Sequence, residues 1–191
     1  MKSFNFVITT ILSTVLVAGA WSGSQVAASP ASVFSPVIGR IQRQLPRGKV
    51  MRLPASLRII GYDGQQIQIY PTVESRSDSL LTIGLASQPN CQARVCQLGM
   101  ITTFPRQSSY DDLIGRMGHP DYRKESTISL GNGIRGTYVS ADMRGASGGK
   151  YEVVIWEQDG QAFQVSLKGD KGTSVAIAKS MVNEPPIQSV R

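Results

Sequence analysis

The chain has 191 residues, with 20 Lys and Arg against 13 Asp and Glu and a formal charge of +7. Apolar residues make up 41 % and charged residues 17 %, with 19 Gly and 10 Pro. These values exclude a coiled coil, a collagen and a fully disordered chain, and the length suits one turn-rich, β-containing domain.

Residues 1–28 read as a signal peptide, because Lys2 is their only charge and Phe6 to Ala20 is nearly all apolar. That run is short of the roughly 20 residues a bilayer span needs. Ala18-Gly19-Ala20 and Val26-Ala27-Ala28 both approach a small-x-small cleavage site, and the second fits better. An uncleaved anchor is the rival reading. Residues 29–191 are then expected to form one domain, exported to the periplasm or beyond the cell. Without Lys2, 19 basic side chains face 13 acidic ones, a net +6.

Ser35-Pro36 predicts a helix start with Ser as N-cap, and Val37, Ile38, Ile41 and Leu45 recur at helical spacing up to Pro46. Short strands are expected at Lys49–Leu53, at the alternating Gln66–Tyr70 and at Leu80–Ala86. Cys91 and Cys96 follow, with four residues between them. That spacing is neither a C-x-x-C redox motif nor part of a zinc quartet. In an oxidising compartment the pair reads as a disulfide closing a ring of about six residues, worth roughly 2 kcal/mol in the chain-entropy model. A free reactive thiol is the other reading.

Gln97–Thr103 predicts a strand, and 103–126 an irregular region with one helical turn near Tyr110–Ile114. Two hairpins follow. Gly131-Asn132-Gly133 joins Thr127–Leu130 to Ile134–Val139, and Asp159-Gly160 joins Tyr151–Glu157 to Gln161–Leu167. A last helix is expected from Thr173 to Asn183, its stripe formed by Val175, Ala178 and Val182, with Pro185-Pro186 stopping it. The expected class is α+β, an antiparallel sheet of roughly 6–8 strands with an N-terminal and a C-terminal helix packed against it.

Phe34-Ser35-Pro36-Val37-Ile38 before Lys49–Pro54, the loop Cys91–Cys96 running into Gln97-Leu98-Gly99, and Trp156–Val165 before Ala178–Met181 together resemble a family of exported cyanobacterial-type proteins. The ending is similar to that of bacterial ectodomains and of the photosystem-II oxygen-evolving subunit fold. The resemblance implies a fold and an extracytoplasmic location; it implies no reaction and no catalytic residue.

Three motif matches fail on context. Gly131–Gly136 fits G-x-G-x-x-G, but a strand follows where the dinucleotide fingerprint requires a helix. Gly145–Gly149 fits G-x-S-x-G around Ser147, again without a following helix, and the single His119 precedes Ser147. A hydrolase acting on envelope material through His119, Ser147 and Asp121 is therefore the alternative function, since triads are defined by geometry rather than order. One His beside Asp111, Asp112 and Asp121 is expected to be a solvated loop His rather than a metal ligand, and neither a metal nor a cofactor is expected. Glu152 and Glu157 have opposite parity, so they point to opposite sheet faces.

The charge is unevenly placed. Ala31–Tyr62 holds Arg40, Arg43, Arg47, Lys49, Arg52 and Arg58 with no acid, whereas Asp63–Arg191 holds 13 bases and 13 acids. The whole excess belongs to one segment, where it creates a local positive potential. An exported, non-enzymatic accessory or binding domain that meets an anionic envelope partner through these six residues is the leading expectation. The partner is a membrane surface, a polysaccharide or an acidic protein. Nucleic acid fits poorly, because no aromatic side chains interleave with the basic ones.

Overall fold

Left-handed backbone at Asn132 (φ 50°) and Gly133 (φ 74°), and again at Asp159 (φ 54°) and Gly160 (φ 72°), turns the chain tightly at both expected hairpins. The computed structural model describes residues 29–61, 63–77, 80–106, 123–143 and 149–190. Among them, strands β2 (Tyr70–Ser77), β3 (Leu80–Ala86), β4 (Gln97–Pro105), β5 (Arg123–Gly131), β6 (Ile134–Met143), β7 (Gly149–Gln158) and β8 (Gln161–Lys168) form one antiparallel sheet. Its order is β2-β3-β4-β8-β7-β6-β5. A second, two-stranded sheet pairs β1 (Val50–Met51) with β9 (Ile187–Gln188). Helices α1 (Ser35–Gln44) and α2 (Lys171–Asn183) complete a mixed α/β fold dominated by the seven-stranded sheet.

Alternation along the strands divides the apolar side chains between the two sheet faces. Val154 and Trp156 of β7 join Phe163, Val165 and Leu167 of β8 in the main cluster, with Val37 and Ile41 of α1 and Ile177, Ala178, Met181 and Val182 of α2. Val139, Val153, Ile155, Phe104 and Ala162 form a second, smaller cluster on the opposite face. Trp156 stacks on Phe163 with ring centroids 5.5 Å apart.

Several expectations shift. Ser35 is not a side-chain cap: a 3-10 turn over Ser32–Phe34 runs straight into α1, so Phe34 already has helical backbone and Ser35 lies inside the helix. The strand expected at Gln66–Tyr70 begins only at Tyr70 and runs on through Pro71 to Ser77, because Pro71 sits on an edge strand where its missing N–H removes nothing. Gln66 makes only an isolated bridge to Ile60. The irregular region expected over 103–126 is narrower. Thr103–Pro105 pairs with Gln161–Phe163, and Arg123–Ser126 pairs with Tyr138–Ala141. The helical turn expected near Tyr110–Ile114 lies outside the described residues.

Candidate functional site

The basic segment takes its shape from the apolar residues it carries. α1 buries Val37 and Ile41, and Leu45 follows them inward, which turns Arg40 and Arg43 to solvent. Arg43 is also engaged by a neighbouring group. The chain then reverses through Pro46–Lys49, where Lys49 N–H donates to the Pro46 carbonyl at 3.0 Å and Gly48 takes φ 70°. Arg47 is exposed on this turn and Lys49 is half-buried. Beyond Pro54, Leu57 and Ile59 point inward and Arg58 between them points out.

Arg52 departs from the expected surface. Its side chain is 9 % exposed, and Nε and Nη2 both donate to Oδ2 of Asp159, at 3.0 and 2.7 Å. Nη1 donates to the backbone carbonyl of Glu184 and, at 3.5 Å, to that of Val182. Buried cations are tolerated only with partners, and this one joins the segment after β1 to the β7–β8 turn and the end of α2. Next to it, the Gln161 amide brackets Val50, accepting from its N–H at 3.3 Å and donating to its carbonyl. Arg52 is thus structural. Arg40, Arg43, Arg47 and Arg58 remain on the surface with Lys49 at its margin, and no acid occurs among residues 29–61.

Beside this segment, a groove of about 570 Å³ runs between the start of α1 and residues 186–190. Ser29, Ile38, Gln42, Pro186 and Val190 are among its lining residues, none of which is charged. Val190 N–H donates to the Gln42 carbonyl at 3.4 Å, tying the tail to α1.

A buried acidic node was not anticipated. Glu152 is fully buried, receives a hydrogen bond from the Tyr138 hydroxyl, lies 3.4 Å from Ser140 Oγ and is bridged by Lys150 Nζ at 2.7 Å. Lys171 at the start of α2 stands 4.3 Å above the Tyr138 ring, and Ser174 Oγ donates to the Glu152 carbonyl at 3.0 Å. Burial first, and then the hydrogen bond to Glu152, push the Tyr138 phenol up to about 12. A phenol held that firmly protonated is a donor that locks a carboxylate, not a base. Parity places Glu152 and Glu157 on opposite faces, as the sequence implies, but parity does not reveal that Glu152 is enclosed.

Cys91 and Cys96 stand at disulfide distance, their Cα atoms 5.9 Å apart. The residues of the alternative hydrolase, His119, Ser147 and Asp121, all lie outside the described residues. Among the described residues no group of three His, Cys, Asp or Glu is placed to hold a metal ion, and no helix is long and apolar enough to cross a membrane. No protein-family model, curated protein or solved structure matches the chain.

Proposed function

We propose that this chain is an exported, non-enzymatic binding domain that meets an anionic envelope component through Arg40, Arg43, Arg47, Lys49 and Arg58. One observation carries the reading: α1 spends its apolar side on the core and turns its arginines outward, in a segment without a single acid. The same observation narrows the contact. With Val37, Ile41 and Leu45 buried and Ile38 half-buried, most of the apolar side of α1 is taken up by the core, so attraction is mainly electrostatic and peripheral. Such attraction weakens as salt shortens the Debye length from about 10 Å at 0.1 M to about 3 Å at 1 M. Export and a disulfide between Cys91 and Cys96 agree in compartment.

Retention on immobilised heparin and on anionic vesicles, followed through a salt series, tests this. The triple substitution Arg40→Gln, Arg43→Gln, Arg47→Gln should elute at clearly lower salt than the parent. Lys179→Gln, the loss of one exposed charge on α2, should shift elution little. Equal elution of triple variant and parent refutes the surface.

A further inference from the structure

The chain that follows α2 is short, and an acid stands at its root. Glu184 is the C-cap of α2, its backbone extended at ψ 148°, and Pro185 after it disfavours any return to helix. Pro185 and Pro186 restrict the arm that leads to β9, which pairs with β1, and Val190 N–H then donates to the Gln42 carbonyl of α1 at 3.4 Å. The main chain at residue 184 is held from both sides. Its N–H donates to the Met181 carbonyl at 3.3 Å, and its carbonyl accepts from Arg52 Nη1. The carboxyl is not held. Glu184 is only 5 % exposed, yet its buried Oε2 has no hydrogen-bond partner among the described residues.

The charged groups around it are committed elsewhere. Arg52, from the segment after β1, gives Nε and Nη2 to Asp159 of the β7–β8 turn and Nη1 to main-chain carbonyls. Lys179, the charge nearest to Glu184 along α2, is exposed, as are Arg40 and Arg43 on α1. Residues 185–190 carry no charge. Among the described residues no Lys or Arg forms an ion pair with Glu184.

We propose that Glu184 is a proton-controlled latch for the C-terminal tail, holding residues 185–190 against β1 and α1 while its carboxyl is protonated and releasing them when it ionises. A neutral carboxyl tolerates an enclosed place far better than a carboxylate without donors or a counter-ion. Behind Glu184 the chain is fixed by α2, so its side chain reaches water most cheaply by displacing what comes after it, and the two prolines carry that displacement to β9. Burial accordingly raises the carboxyl above its ordinary value of 4.5. Below that value the carboxyl is neutral whether the tail is closed or open, and the tail stays closed. As pH rises beyond it the open form gains, by at most about tenfold per pH unit for a single proton. Opening parts β9 from β1 and Val190 from Gln42, and residues 186–190 form one wall of the groove beside α1, so that groove widens as pH rises. The latch needs no ligand and stands or falls independently of the anion-binding surface.

Amide hydrogen exchange of the full chain, followed from about pH 4 to about pH 8 and corrected for the intrinsic rate at each pH, tests the latch. Protection of β9 and of Val190 should fall severalfold as pH rises, while Val165 in the buried strand β8 keeps its protection. Glu184→Gln, which keeps the shape and removes the charge, should hold the tail at the parent's acid level of protection throughout. Glu157→Gln, which removes a half-exposed acid from the opposite sheet face, should leave the parent's fall unchanged. Tail protection in the parent that does not change with pH overturns the latch without recourse to any variant. A fall that persists in Glu184→Gln, or one shared equally by Val165, overturns it as well.

Discussion

Removing the acid opposite Arg52 separates structural charge from surface charge. In Asp159→Asn the side chain keeps its size and its tolerance of φ 54°, but Arg52 loses the anion that receives two of its N–H groups. Hydrogen bonds to charged groups contribute about 1.5–3 kcal/mol each where solvent is excluded. Asp159 is 42 % exposed, so screening reduces its share, and the expected loss is about 1–2 kcal/mol. Arg52→Met keeps an apolar stem and should cost more, about 3 kcal/mol, because the Glu184 carbonyl loses its Arg52 donor as well, whereas the Val182 carbonyl keeps the Gln158 amide. Urea unfolding of the parent, both single variants and the double variant should yield a coupling of about 1–2 kcal/mol with unchanged m-values. At this size each kcal/mol lowers Tm by about 2–4 °C. A coupling within about 0.3 kcal/mol of zero would refute the reasoning and return Arg52 to the solvated basic surface.

Three other outcomes follow from single positions. Gly99→Ala should cost more than about 3 kcal/mol in urea, or prevent folding, because a Cβ there collides with the Ser166 carbonyl oxygen and stands 2.9 Å from Leu167 Cα. Asp170 caps α2 by accepting from Thr173 N–H at 2.9 Å and Thr173 Oγ1–H at 2.6 Å, and these bonds, the hydroxyl's first, lower its carboxyl pKa. Asp170→Ala should cost about 1 kcal/mol at pH 7. Since the folded pKa is depressed, that difference should fade as pH drops below the ordinary value of 3.8, which urea midpoints across pH 2–7 would show. Glu184 has the opposite sign: burial raises its pKa, and its Oε2 has no hydrogen-bond partner among the described residues. Glu184→Gln should therefore match the parent below pH 4.5 and gain on it as pH rises, and a difference between the two that stays constant across pH would refute that.

Much of the sheet was readable because local signals agree with tertiary demand. The Asn-Gly and Asp-Gly turns set the registers of β5 with β6 and of β7 with β8, and alternation from Tyr151 to Leu167 assigns both faces. β2 escaped because Pro71 and the polar run Glu74-Ser75-Arg76-Ser77 suppress the strand signal, while its edge position tolerates them. α2 begins at Lys171 rather than Thr173 because the cap is Asp170, a signal present in the sequence but not used. The basic surface was legible as composition, since acids are missing from residues 29–61. That Arg52 turns inward was not, because its partner Asp159 lies on a distant hairpin and nothing local distinguishes Arg52 from Arg47 or Arg58.

The β1–β9 ladder joins Val50 to Gln188, which lie on either side of all seven strands of the main sheet along the chain. A ribosome delivers them in that order, so for most of synthesis Val50 and Met51 wait with their hydrogen bonds unmade while the sheet between them emerges. Closing so long a loop is entropically the dearest pairing in the molecule and belongs at the end of folding. Until that closure the arginine-bearing helix is held by Val37, Ile41 and Leu45 in the main core, and lacks the hydrogen bond that Val190 N–H brings to its Gln42 carbonyl.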